Sequence, residues 1–124
     1  MGEVQVPGRT PRGHYSYATT HNGLIFTAGM LPTKPDGSHA ADASFEQQCR
    51  QVLENLMAVL QAAGAGAKDV LKVTVYIVGP ENWAAFNAVY AEVFGEHRPA
   101  RTVLPVSELY FGYLVEVEAV AAAN

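Results

Sequence analysis

Two stretches of this sequence carry apolar residues at helical spacing, and most of the remainder reads as strands and turns. Phe45, Cys49, Val52, Leu53, Leu56, Leu60 and Ala63 recur at steps of three and four, and Trp83, Phe86, Val89, Tyr90, Val93 and Phe94 do the same. Around them lie five strand-like segments: Tyr15–Thr20, Leu24–Ala28, Val70–Val78, Thr102–Val106 and Leu114–Ala121. The order ββαβαββ predicts an α+β domain built on a mixed sheet. Two helices cannot cover both faces of such a sheet, so they should share one. The opposite face is then either solvated or buried against further copies of the chain.

The punctuation agrees with this division. Asn22-Gly23 between the first two strands is a strong hairpin signal. Pro32 to Ser38, with Pro35-Asp36-Gly37 inside it, reads as a loop. Ser44 and Gln47 make a capping-box pattern at the start of the first helix, and Gly64 and Gly66 stop it. Gly79-Pro80 ends the third strand, Glu81 or Asn82 opens the second helix, and Gly95 closes it. Residues 1–13 carry Pro7, Gly8, Pro11 and Gly13 and are expected as an irregular lead-in. The 124 residues are expected to form a single domain, 1–124.

Charge narrows the partners. Twelve acidic against eight basic residues give a formal charge of -4, and the basic residues are spread along the chain. Only Arg98 and Arg101 come close to a cluster, which argues against nucleic acid as a main partner. No apolar run suits a signal peptide or a membrane span, so the expected location is the cytoplasm, with no membrane partner. His14, His21, His39 and His97 lack metal-ligand spacing, and no metal is expected. Cys49 lies on the helical stripe and reads as a buried small apolar residue.

Chemistry is suggested at two places. In the last strand, alternation puts Val115, Val117 and Ala119 on one side and Leu114, Glu116, Glu118 and Val120 on the other. The two carboxylates would stand about 7 Å apart on the face without helices. They are either ordinary charges on a solvated strand face or part of a site. Arg101, after Arg98-Pro99-Ala100 at a strand entrance, is either a surface arginine or a group that grips a carboxylate with two parallel hydrogen bonds. Neither residue decides the matter alone.

From about Gly13 to Ala121 the chain resembles the reactive intermediate deaminase (Rid, YjgF-like) family. The likeness runs in order through GHYSYAT, NGLIFTAGMLP, QCRQVLENLMAVLQAAGA, DVLKVTVYIV, FNAVYAEVFGEHRPAR and LVEVEAVA. The pairing of FGEHRPAR with VEVEA is its most specific part. The resemblance implies a chorismate-mutase-like fold assembled as a homotrimeric barrel, with helices outside and three sites between neighbouring subunits. It implies hydrolysis of enamine or imine acids, such as 2-aminoacrylate, to 2-keto acids and ammonium, with no cofactor. By matching motif positions, Arg101 would hold the substrate carboxylate and Glu116 would handle the proton of the attacking water. Tyr15, Gly29, Asn87 and Val103 would line the substrate pocket.

The sequence also departs from the family pattern. Gly13-His14-Tyr15-Ser16 has lost a proline, Thr27-Ala28-Gly29-Met30 has lost a hydroxyl and an amide, and Val103 stands where cysteine is frequent. These changes make the expected pocket less polar. Tyr110, Phe111 and Tyr113 are either additional pocket walls or plain packing. The departures question 2-aminoacrylate as the preferred substrate and keep three alternatives in view. One is a pathway-specific deaminase of a bulkier substrate. Another is a non-catalytic module that binds small carboxylates such as 2-keto acids. The third is ribonuclease activity, attributed to some relatives, which the acidic balance disfavours.

Overall fold

The computed structural model describes residues 1–123. Its strands are β1 (Gly2–Val4), β2 (Ala18–His21), β3 (Leu24–Thr27), β4 (Val70–Val78), β5 (Ala100–Val106) and β6 (Val115–Ala122). Two helices, α1 (Phe45–Ala62) and α2 (Trp83–Phe94), complete the frame. The strands form one mixed sheet in the order β1-β2-β3-β6-β4-β5. β4 and β5 run parallel and the other neighbours antiparallel. The α+β architecture expected from the periodicities is therefore present, with both helices on one face.

Burial along the strands shows which face that is. Val115, Val117, Ala119 and Ala121 are buried, as are Val73, Val75 and Ile77 opposite them, and they meet the α1 stripe of Cys49, Val52, Leu53, Leu56 and Leu60. Glu116, Glu118 and Val120 alternate to the other face. There Phe26 and Leu104 remain 42% and 41% exposed, an apolar component on a face that no helix covers.

Local chemistry accounts for most boundaries. The hydroxyl of Ser44 accepts from the Gln47 amide at 3.1 Å, and the Gln47 side chain accepts from the Ser44 amide at 3.2 Å, completing the capping box at α1. Asn22 and Gly23 both take positive φ, 50° and 79°, the geometry that a two-residue hairpin with right-twisted strands needs.

Two expectations need correction. Residues 1–13 are not irregular throughout: Gly2–Val4 pairs with Ala18–Thr20 as β1, and Val6 is buried. Composition hides this strand because its partner lies far along the chain and Pro7-Gly8 follow at once. The first predicted strand also starts too early. Tyr15 to Tyr17 precede β2, because the Tyr15 amide donates to Gly13 carbonyl at 3.0 Å in a tight turn.

Asn55 ties this N-terminal segment to the body. Buried on α1, it donates to the carbonyls of Leu31 and Thr33 at 2.9 and 2.7 Å, and accepts from Gln51 at 2.9 Å and Arg9 at 2.8 Å. A polar residue on the apolar stripe thereby fixes two loops that carry no regular structure.

Candidate functional site

Beyond Phe26, β3 leaves the regular ladder of β6. Phe26 faces Val120 and Met30 faces Val117, so four steps on one strand match three on the other. The extra residue makes a bulge. Its irregularity is stitched by the Thr27 hydroxyl, which accepts from the Ala119 amide at 2.9 Å, and by Met30 and Val117, which exchange backbone hydrogen bonds. Gly29 is exposed within this bulge and lies directly against Glu116, so that any Cβ at 29 would overlap the Glu116 Oε2 atom.

Glu116 is half-buried, and no hydrogen bond meets its carboxylate among the described residues. Burial raises its pKa above the ordinary glutamate value, and the neighbouring Glu118 adds to the rise. Glu118 differs because the Tyr76 hydroxyl donates to it at 2.5 Å. That hydrogen bond, with burial and the nearby charges, pushes the Tyr76 phenol up to about 12. The two carboxylates that alternation placed on one face are thus distinct. Glu118 is committed to a hydrogen bond and Glu116 is available for proton exchange.

Tyr15 and Gly29 line one cavity of about 440 Å³ bounded by the N-terminal segment, the loop after β3 and α1. Arg101 lies elsewhere. Its Nη1 donates to Asn87 Oδ1 at 3.0 Å, and its guanidinium stands 4.7 Å from the Tyr90 ring centroid and 5.9 Å from that of Trp83. Among the described residues no carboxylate pairs with it. A guanidinium held by a neutral amide and aromatic faces keeps its full charge for a ligand. Val103, two residues on, is half-buried on the same side of β5 and packs against the core.

Register shows that these two groups of residues are separate within one chain. Arg101 pairs with Val73 and Val73 with Ala119, all on the helix-bearing side. Glu116 pairs with Tyr76 on the opposite side. The chain therefore holds two separate groups: Glu116, Gly29 and Tyr15 in one place, Arg101, Asn87 and Val103 in another. Strand alternation finds the side of Glu116. The side of Arg101 needs the cross-strand register, which local sequence does not reveal.

Folding also gathers three cations that look scattered in sequence. Arg9, Arg12 and Lys34 line the same cavity as Tyr15 and Gly29. Burial, and then Tyr15, raise the pKa of the adjoining Tyr17 phenol, and the two arginines offset only part of the rise. Of the three aromatics weighed as possible walls, Phe111 lines the cavity, Tyr113 is buried, and Tyr110 is exposed outside it. Phe111 stacks on His39 at 4.0 Å with φ of 62°, a strained conformation for an aromatic residue. The Tyr113 hydroxyl meets His39 Nδ1 at 2.9 Å and accepts from the Ala40 amide at 3.2 Å, fixing the loop beneath that stack.

Comparison with known proteins gives consistent results. The family model described as Endoribonuclease L-PSP matches residues 7–123. A RutC family protein of Pyrococcus horikoshii is 44% identical over 111 residues, spanning 90% of this chain and 88% of that protein. The Yersinia pestis protein YyfA, of the conserved Rid protein family, superposes with a TM-score of 0.91 at 34% identity, covering 99% and 98% of the two chains. Escherichia coli TdcF, solved with bound serine, superposes with a TM-score of 0.89 at 30% identity over the full length of both chains.

Proposed function

The chain belongs to the endoribonuclease L-PSP family, the Rid/YjgF-like proteins, and from that premise we propose that it is a hydrolytic deaminase of enamine and imine acids. The reaction takes an imine acid and water to a 2-keto acid and ammonia. The observation that carries the reading is Glu116: half-buried, raised in pKa, and free of hydrogen bonds among the described residues. A carboxylate so placed suits a proton shuttle.

In this proposal the chain is a homotrimer, and each site joins the two groups across neighbouring subunits. The uncovered sheet face with Phe26 and Leu104 supports burial against other copies. Arg101, steadied by Asn87, holds the substrate carboxylate with its remaining donors and orients the imine carbon. Water attacks that carbon, the C=N π electrons move to nitrogen, and Glu116 takes the proton from the water. The carboxyl returns that proton to the nitrogen, giving a carbinolamine. Glu116 then takes the hydroxyl proton and passes it to the nitrogen, so that the C–N bond breaks with ammonia leaving as the hydroxyl oxygen becomes the carbonyl. An enamine enters the sequence after tautomerising to its imine. The residues named complete these steps without a cofactor, and a cytoplasmic location belongs to the same proposal.

The test is turnover of 2-aminoacrylate generated in place from serine by a dehydratase, with semicarbazide competing for the intermediate. Faster pyruvate release by wild type, lost in Arg101→Ala and Glu116→Ala, supports the proposal. A second reading, a non-catalytic module for small carboxylates, draws on the serine bound to TdcF. It predicts that Glu116→Gln retains carboxylate binding while no variant, nor wild type, changes the rate.

A further inference from the structure

Substrate class can be narrowed by the cavity beside Gly29. It is lined by Arg9, Arg12 and Lys34 and by one acid, Asp36. With His39 neutral, those side chains carry three positive charges and one negative, a net +2 inside a chain of formal charge -4. The excess is not cancelled locally. Arg9 is held by the Asn55 amide oxygen at 2.8 Å and Arg12 by the Gly37 carbonyl, both neutral acceptors. Among the described residues no carboxylate lies within ion-pair distance of Arg9, Arg12 or Lys34. Asp36 accepts from the Ser38 amide and hydroxyl at 2.9 and 2.7 Å, and feels the Lys34 charge from beyond ion-pair distance.

The position of these cations matters as much as their number. They share a cavity with Tyr15 and Gly29, and Gly29 touches the Glu116 carboxylate. Glu116 does not itself line the cavity, so a ligand reacting beside it would reach this positively charged space past Gly29. Asn55 gives that space a fixed floor by tying Arg9 to the loop at Leu31 and Thr33. A small substrate such as a three-carbon imine acid has no group to place there.

We propose that the Arg9, Arg12 and Lys34 cavity receives a second anionic group of the substrate, so that the preferred substrates are dicarboxylic imine acids. This rests on the deaminase reading above, in which Arg101 of a neighbouring subunit takes the first carboxylate. Guanidinium groups on neutral partners are suited to bind a carboxylate, and the attraction is screened by salt.

The test separates binding from turnover. Calorimetric titration of the assembled protein would compare 2-oxoglutarate with 2-oxobutanoate, in wild type and in the Arg12→Gln/Lys34→Gln double variant. Wild type is expected to bind the dicarboxylate about tenfold more tightly, and the double variant to narrow that ratio to about twofold. Equal binding of the two keto acids by wild type, or a preference that survives in the double variant, overturns the assignment. In parallel, imines made in place by an amino-acid oxidase from glutamate and from 2-aminobutyrate are assayed for hydrolysis. An Arg12- and Lys34-dependent binding preference without turnover of either imine defeats the deaminase reading and keeps the cavity assignment. Turnover of both imines without preferential binding does the reverse.

Discussion

Gly29 and Glu116 touch so closely that the glycine's missing side chain defines the space the carboxylate occupies. The backbone at 29 lies outside the left-handed region, so glycine is required here by room and not by conformation. Gly29→Ala should therefore leave the chain folded while displacing the Glu116 carboxylate. We expect kcat/KM for imine hydrolysis to fall about a hundredfold, with a change in thermal midpoint no larger than that of an ordinary surface substitution. A variant with wild-type kinetics would remove Glu116 from the reaction.

The opposed placement of Arg101 and Glu116 permits a complementation experiment. If each site draws them from different subunits, homotrimers of Arg101→Ala and of Glu116→Ala are both inactive. When equal amounts are unfolded together and reassembled, about a quarter of the sites in random trimers combine an intact Arg101 with an intact Glu116. Activity should return to about that fraction of wild type. A mixture as inactive as its parents would sink the intersubunit arrangement.

These two relationships differ in how far the sequence exposes them. Alternation from Val115 to Ala121 is visible because one face of β6 is buried and the strand period is two. The Val70–Val78 strand and both helices are legible for the same reason, a period matched to one-sided burial. The face of Arg101 is not legible, since it depends on pairing through Val73 to Ala119. The gathering of Arg9, Arg12 and Lys34 depends on long-range ties, Asn55 holding Arg9 and the Leu31 and Thr33 carbonyls and the Gly37 carbonyl holding Arg12, which no local pattern announces. β1 is hidden likewise, because three residues at a sheet edge acquire their meaning from Ala18–Thr20. The family resemblance supplied the roles of Arg101 and Glu116, and the structure supplied their separation.

The pKa of Glu116 has a pH signature whose sign can be worked out. As a base it must be deprotonated, so the acid limb of kcat/KM should lie above the ordinary glutamate value. Burial is the larger cause and Glu118 the smaller. Glu118→Gln removes the like charge, lowers the Glu116 pKa, and should move the limb toward lower pH while leaving part of the elevation. Stability follows the same linkage. A carboxyl with a raised folded pKa binds its proton more tightly in the folded state, so stability falls as pH rises through the unfolded and then the folded value. Glu116→Gln should flatten that fall in denaturant titrations across the same window. An acid limb unmoved by Glu118→Gln would mean that the two carboxylates do not interact.

Asn55 offers a test of how the cavity is held. Replacing it with leucine keeps roughly the volume but leaves the Leu31 and Thr33 carbonyls without their donor and Arg9 without its acceptor. Removing one partner from buried hydrogen bonds costs about 1–3 kcal/mol for each group left unsatisfied. The total should be about 3 kcal/mol, because Arg9 and the loop can partly recover water. The midpoint of urea unfolding reads this loss directly. Asn55→Asp distinguishes geometry from charge. It keeps an acceptor for Arg9 and adds a carboxylate that lowers the cavity's positive excess by one charge, yet it cannot donate to either carbonyl. It should therefore lose stability as well, and should weaken binding of 2-oxoglutarate relative to 2-oxobutanoate. An Asn55→Leu protein as stable as wild type would show that the Leu31–Thr33 loop and Arg9 are held by other contacts.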